Sequence, residues 1–369
     1  MHFNDRLTRN CIFDLYRNKM QKFFLLIFLL IVQVLIGQEK SPNIILMIGD
    51  GMGLSHISAG MYANNNSTIL EEFEYVGLSK THSLNYLVTD SAASGTAMAT
   101  GVKTLNRTIG IDENNKNSKS ILEICKENDY RVGLVVTSEI VHATPASFYA
   151  KVPSRYDYEN IASQLSEHNI DLFVGGGKNH FNKRKDKRNL LEEMSDYTFV
   201  KNFDEFKNST SEKIGYFTYP SDPPPKEFGR KPSLDDLTEV SIKKLSRNKP
   251  FFMMIESSQI DWGGEDNSLS YVLSEFKEFD LAIAKALAFA EADGNTLVIV
   301  TADHESGGLS VIGGNVKKSR VRASFSIGGH TGTMVPVFSF GPYSDLFKGI
   351  YENTSIFDKM LSAVEGGLK

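Results

Sequence analysis

Residues 44–48 of this chain form an unbroken apolar run that ends in Gly49-Asp50. Residues 251–255 form a second such run, ending in Glu256, and residues 297–300 a third, ending in Thr301-Ala302-Asp303-His304. Strands covered on both faces of a parallel sheet read this way, because neither face meets water. Helix-like segments separate the runs. Residues 119–128, Tyr158–Glu167, Leu234–Leu245 and 273–292 carry helical periodicity. Residues 132–136, 172–174 and Val335–Phe340 read as further strands, with a Gly175-Gly176-Gly177 turn after the second of these. Ser233 stands where a helix cap belongs, Asp236 takes the capping-box position, and Gly294 closes the last long helix. The alternation predicts an α/β fold, a mostly parallel central sheet with helices on both faces.

That fold gives the three terminal acids a meaning. Ligands of such sheets bind beyond the carboxyl ends of the strands. Asp50, Glu256 and Asp303, far apart in the chain, would then meet along one edge. Carboxylates placed together repel unless something cancels their charge, and metal ions do this best. The pattern therefore points to a metal site.

Residues 178–231 interrupt the alternation. They are polar, proline-rich at 220–225, and include Lys183-Arg184-Lys185-Asp186-Lys187-Arg188, which reads as a solvated loop. The stretch at about 178–232 is expected to be an irregular surface excursion from one domain spanning 39–369. With 369 residues, 41% hydrophobic, the chain can build a large core, and its net charge of −5 does not point to a nucleic-acid partner. Lys19 and Lys22 precede a run at 23–36 that is apolar except for Gln33. This reads as a secretory signal over residues 1–38, cleaved near Gly37-Gln38, with Met20 as a second candidate start. The run is shorter than the ~20 residues of a spanning helix, so a retained membrane anchor is the alternative. After cleavage the protein is expected in the periplasm or outside the cell, free of the membrane. Cys11 would leave with the signal, and Cys125, alone, is expected to be a small core residue without a disulfide.

Two further stretches carry chemistry. In Gly49-Asp50-Gly51-Met52-Gly53 the glycines permit tight turns around Asp50. In Thr89-Asp90-Ser91-Ala92-Ala93-Ser94-Gly95 small residues lead into a helix at 92–100 with Ser91 at its start. Ser91 there is either a helix cap or a nucleophile placed at the free amides of a helix N-terminus, which suit phosphate. A serine hydroxyl needs a base or a metal to become reactive.

Taken in order, GDGMG at 49–53, TDSAASGTAMATGVKT at 89–104, HATPA at 142–146, SR at 154–155, ESSQID at 256–261, TADHESGG at 301–308 and GHTG at 329–332 resemble the alkaline phosphatase family over nearly the whole chain after residue 43. The resemblance implies an alkaline phosphatase-like fold and hydrolysis of small phosphate monoesters with two Zn²⁺ and one Mg²⁺. Ser91 matches the nucleophile that becomes phosphorylated, and Arg155 the arginine that holds the phosphoryl oxygens. Asp50, Asp303 and His304 match ligands of the zinc that activates Ser91. Asp50, Thr144 and Glu256 match the magnesium site, and Asp261 and His330 the second zinc. The chemistry agrees: paired zinc ions about 4 Å apart can neutralise the entering and leaving oxygens. Magnesium prefers all-oxygen ligands, and zinc accepts imidazole. A homodimer is a further expectation carried by the resemblance alone.

Each residue also has a plainer explanation. Thr144 could begin a turn at Pro145, Arg155 could pair with Asp157, and His304 and His330 could be hydrogen-bonded core residues. At Glu265 the family commonly has histidine, the third ligand of the second zinc; glutamate there adds negative charge and favours harder ions. His142 varies between aspartate and histidine in the family and would lie just outside the magnesium ligands. Trp262, the chain's one tryptophan, varies too. The rival readings are a phosphodiesterase of the same superfamily and a weakly active metal- or phosphate-binding relative whose zinc site has changed at Glu265.

Overall fold

The apolar runs become strands whose alternate residues enter two different cores. Ile44, Leu46 and Ile48 pack into one cluster and Ile45 and Met47 into the other; Phe252 and Met254 likewise part from Phe251, Met253 and Ile255. A period of two in a continuous apolar run therefore buries both faces of the sheet. The computed structural model describes residues 19–25 and 41–366. Residues 19–25 are helical, and the rest of the expected signal, with Cys11 and the cleavage point, lies outside the described residues. No helix among the described residues is long and apolar enough to cross a membrane.

The strands in chain order are β1 (Asn43–Gly49), β2 (Tyr75–Lys80), β3 (Arg131–Glu139), β4 (Leu172–Gly176), β5 (Thr198–Val200), β6 (Ile214–Phe217), β7 (Phe251–Ser257) and β8 (Thr296–Thr301). They continue as β9 (Glu305–Ser306), β10 (Ser310–Asn315), β11 (Arg320–Ser324), β12 (His330–Thr331), β13 (Val335–Phe340) and β14 (Gly349–Glu352). Ten of them form one sheet in the order β14-β2-β13-β8-β1-β7-β3-β4-β6-β5. Only β13 runs against its neighbours. β1 lies between β7 and β8, and Ile48 stands opposite both Glu256 and Thr301. The three apolar runs are thus adjacent strands, and their acids emerge side by side.

Helices Tyr158–Glu167 and Leu234–Leu245 form over the expected residues, whereas the long helix spans Leu269–Asp293 and ends at Gly294 in the left-handed region, φ 70°. Three local expectations are corrected. Gly175 and Gly176 belong to β4, because Gly175 continues the parallel ladder to β6 and Gly176 pairs with Glu139 of β3. Ser233 makes no capping box: its hydroxyl donates to the Asp236 carboxylate at 2.8 Å, so no side chain caps a backbone amide there. Residues 178–232 are less irregular than their composition suggests. They supply β5 and β6, and Phe199 and Phe217 stack beside Phe173. Strands of three and four residues are too short to show a period in sequence. Cys125 is buried in the core without a disulfide.

One ion cluster ties this segment to the body. Arg230, 3% exposed, bonds Glu275 at 3.0 Å and 2.5 Å and also reaches Glu278, both on helix Leu269–Asp293. Lys226 adds its amide to Glu275 at 2.7 Å and its ammonium to Glu278 at 2.7 Å. Removing one partner from a buried ion cluster leaves uncompensated charge. Arg230→Ala should therefore destabilise the protein by about 3–5 kcal/mol in urea unfolding followed by Trp262 fluorescence. A loss no larger than an exposed pair would cause, about 0–1 kcal/mol, would show that the cluster does not anchor the segment.

Candidate metal centre

Asp50 leaves β1 on a turn that only glycine can make. Gly51 has φ +71°, and a Cβ there would lie 2.5 Å from the Ser306 hydroxyl and 2.7 Å from the Asp261 Cα. Its amide donates to Asp303 Oδ1 at 3.1 Å, which locks the turn after β1 to the end of β8. Asp261 comes from the other neighbour, in helix Gln259–Glu265 directly after β7. Asp50, Glu256, Asp261 and Asp303 are all 5% exposed or less.

Two donor groups result. Asp50, Asp303 and His304 offer atoms mutually within 4.8 Å, and so do Asp261, His304 and His330. His304 Nε2 lies 3.4 Å from Asp50 Oδ1 and 3.1 Å from Asp303 Oδ2, while its Nδ1 lies 4.0 Å from Asp261 Oδ1. The structure thus places His304 between both groups, where sequence motifs put it in the first alone. His330 Nε2 lies 3.5 Å from Asp261 and 3.4 Å from Glu265, and the His304 and His330 rings stack with centroids 3.5 Å apart. His330 Nδ1 sits 2.8 Å from the Thr89 carbonyl. A proton on Nδ1 satisfies that contact and turns the Nε2 lone pair towards Asp261 and Glu265, the usual arrangement of a metal-binding imidazole. Glu265 joins the group from outside, its side chain 44% exposed.

A third grouping has oxygen donors only. Thr144, fully buried in helix Ala143–Ala146, and Asp50 both lie close enough to Glu256 to lower its affinity for a proton. None of them makes a well-formed hydrogen bond: both carboxylate oxygens of Asp50 and of Glu256 and the Thr144 hydroxyl are buried without a partner. Asp261 Oδ1, Asp303 Oδ2 and His304 Nδ1 share that condition. Buried polar atoms are almost always paired, so a convergent set of orphans calls for a cation that the protein atoms do not supply. The electrostatics agree. Burial, then Asp303, Asp261 and Glu256, push the Asp50 carboxyl well above its usual range, and burial raises Glu256 too. Burial opposes ionisation of Asp303 as well, but His304 overrides it and holds that carboxyl low. On His330, burial is outweighed by Asp261 and Glu265, which raise the ring well above an ordinary histidine. The donor sets fit metal ions: three hard oxygens in one, imidazole with carboxylates in the others.

Ser91 opens helix Ser91–Thr100, every residue of which is buried. It does not cap that helix. The cap is Asp90, whose Oδ1 accepts from the Ala93 and Arg107 amides at 3.1 Å and 3.0 Å. Ser91 is thereby free of the capping role, and its Oγ lies 3.4 Å from His304 Nε2. Arg155 pairs with Asp90 Oδ2 at 3.0 Å, and not with Asp157. Asp90 was missed as a site residue, although an Asp directly before a run of helix formers is an N-cap signal. His142 precedes Thr144 as the cap residue of its helix, and its ring meets Trp262 edge-on at 6.0 Å. Burial, then the charge of Arg155, lowers the His142 pKa to about 3.

The family model described as alkaline phosphatase matches residues 41–324. Alkaline phosphatase 3 of Bacillus subtilis is 34% identical, over 90% of this chain and 91% of that protein. The alkaline phosphatase from the Antarctic bacterium TAB5 superposes with a TM-score of 0.83 at 42% identity, covering 89% of this chain and 99% of that one. A histidine-to-glutamate mutant of the TAB5 enzyme, described with Mg bound in the M3 site, matches equally well, with a TM-score of 0.83 and 42% identity over the same shares. With buried acids converging beside a serine on this sheet, the chain belongs to the metal-dependent alkaline phosphatase family and is a phosphoric monoester hydrolase.

Proposed function

We propose that this protein is an exported alkaline phosphatase that hydrolyses small phosphate monoesters through a phosphoserine at Ser91. The observation that carries the reading is the set of buried, partnerless carboxylate oxygens of Asp50 and Glu256, beside a serine that no helix cap engages. Asp50, Asp303 and His304 would hold one zinc ion, Asp261, His330 and Glu265 a second, and Asp50, Thr144 and Glu256 a magnesium. The all-oxygen donor set supports the last assignment, and a histidine-to-glutamate mutant of the TAB5 relative is described with Mg bound. When bound, these ions supply neutralising charge for the phosphoryl group and for the oxygens that enter and leave. The lysines before the apolar run at 23–36 support export to the periplasm or beyond.

The protein's own groups do the following. Arg155, fixed by Asp90, presents its guanidinium fork to the nonbridging phosphoryl oxygens. Ser91 Oγ loses its proton and forms a bond to phosphorus, while the bond from phosphorus to the alcohol oxygen breaks and the alcohol leaves with a proton. Water then attacks phosphorus, the Ser91 Oγ–P bond breaks, and phosphate departs as the serine regains its proton. Thr89 keeps His330 oriented through its carbonyl. His142 and Trp262, whose rings meet edge-on, would lie outside the ligands as neighbours in sequence of Thr144 and Asp261.

Ser91→Ala should lower monoester turnover by on the order of 10³-fold or more while the protein still folds and retains metal. Steady-state assays beside metal analysis check this; near-normal turnover would remove Ser91 from the reaction. Glu265 adds a negative charge to the Asp261–His330 donors and lies partly in solvent, so that zinc should be the least firmly held. Glu265→His should slow its loss to a chelator and raise turnover. Unchanged retention and rate would mean that Glu265 is not a ligand.

A further inference from the structure

Glu305 directly follows Asp303 and His304, yet it turns away from both donor groups. It is 5% exposed. Its Oε1 accepts the Leu309 amide at 3.0 Å, and its Oε2 accepts the Thr331 hydroxyl. Thr331 is the residue after His330. The two-residue strands β9 and β12 set Thr331 opposite Glu305 and His330 opposite Ser306. On its other side Glu305 fills the space above Gly53, where a Cβ would come within 2.3 Å of the Glu305 Cγ. Gly53 belongs to the turn that carries Asp50. Glu305 is therefore wedged between the turn of one donor group and the strand of the other. Behind it lies His56, fully buried, with Nδ1 3.9 Å from Glu305 Oε1 and no hydrogen bond at either ring nitrogen.

Besides Glu305, the side-chain bonds at the strand that bears His330 are those of the His330 ring to the Thr89 carbonyl and of the Thr331 hydroxyl to Thr333, two residues on. Residues 326–328 and 332–334 on either side of it are exposed. A two-stranded pair of this length is not stable alone. Backbone contacts join the segments, including Gly307 N to Gly329 O at 2.7 Å, and the side-chain bond from Thr331 to Glu305 adds to them at the residue next to His330. In the donor group of His330, Glu265 is half in solvent. The group's integrity then rests on Asp261, on His304 and on the placement of His330.

We infer that Glu305, through its hydrogen bond with Thr331, is a positioning residue that holds His330 in the metal centre. The inference rests on the proposed function, since it assumes that His330 binds a metal. It differs from the contact between His330 and Thr89, which orients the imidazole ring. Glu305 fixes the backbone from which that ring projects, and Gly53 is the residue that makes room for it.

Thr331→Val removes the hydroxyl with little change of shape, Thr331→Ser retains it, and Glu305→Ala removes the acceptor. Metal equivalents retained by the holoenzyme would be measured across a chelator series, together with kcat and KM and the unfolding midpoint of the metal-stripped protein. Thr331→Val should release one equivalent at about 10–100-fold lower chelator concentration, in the range of other outer partners of metal ligands. Its kcat should fall, with the metal-stripped midpoint unchanged. Thr331→Ser should behave as the unmodified protein. Glu305→Ala, which also frees the Leu309 amide, should lose that equivalent at least as readily, and adding Thr331→Val to it should change metal retention little further, because the bond the two residues share is already gone. Normal metal retention in Thr331→Val, failure of Thr331→Ser to restore it, or additive effects of the two variants would overturn the inference. An unmodified protein that holds no metal and hydrolyses no monoester would instead overturn the function on which it rests.

Discussion

The carboxylates of Asp50, Glu256, Asp261 and Asp303 lie within one another's field at the carboxyl edge of the sheet, almost out of contact with water. Placing like charges together under burial is among the costlier arrangements a fold can adopt, and the orphaned oxygens show that hydrogen bonds do not relieve it. Positive charge must come from elsewhere. Arg155 is committed to Asp90, and the histidines reach only part of the cluster. The cluster makes physical sense as a cradle for cations, and the surrounding structure serves to bring the acids together and keep them there.

The sheet does the first of these. Its order puts β8, β1 and β7 side by side, and a shared register brings Glu256 and Thr301 level with Ile48. Small residues do the second. Gly51 admits Ser306 and Asp261 to the turn after β1, and a Cβ at Gly95 would meet Ser147 at 2.8 Å. The helix of Ser91 can therefore press against the helix of Thr144. Asp90 joins two parts of the site. One oxygen caps the helix of Ser91, the proposed nucleophile, and the other holds Arg155, the arginine that would bind the phosphoryl group.

Much of this was legible along the chain. The three apolar runs with terminal acids marked the strands and one edge of the sheet, and Ser91 stood out at the start of a helix of small residues. What could not be read were pairings between distant segments. Arg155 looked ready to pair with Asp157, two residues away, but Asp90 lies at the helix end that Arg155 faces. Ser233 and Asp236 had the spacing of a capping box, yet their side chains bond to each other. β5 and β6 were hidden because each is shorter than the span over which a period can be recognised.

By itself the sequence determined which residue types stand at the ends of the buried strands. Continuous apolar runs specify strands covered on both faces, and an acid at the end of such a run has little freedom to go elsewhere. Only the tertiary structure decided how those ends combine. Strand order made three of them neighbours, the packing of β9 against β12 set His304 between two donor groups, and Glu305 came to lie between Gly53 and Thr331. The physical reason is that backbone periodicity is a local property, readable over a few residues. Charge neutralisation and close packing act across space, between residues whose distance along the chain says nothing about their contact.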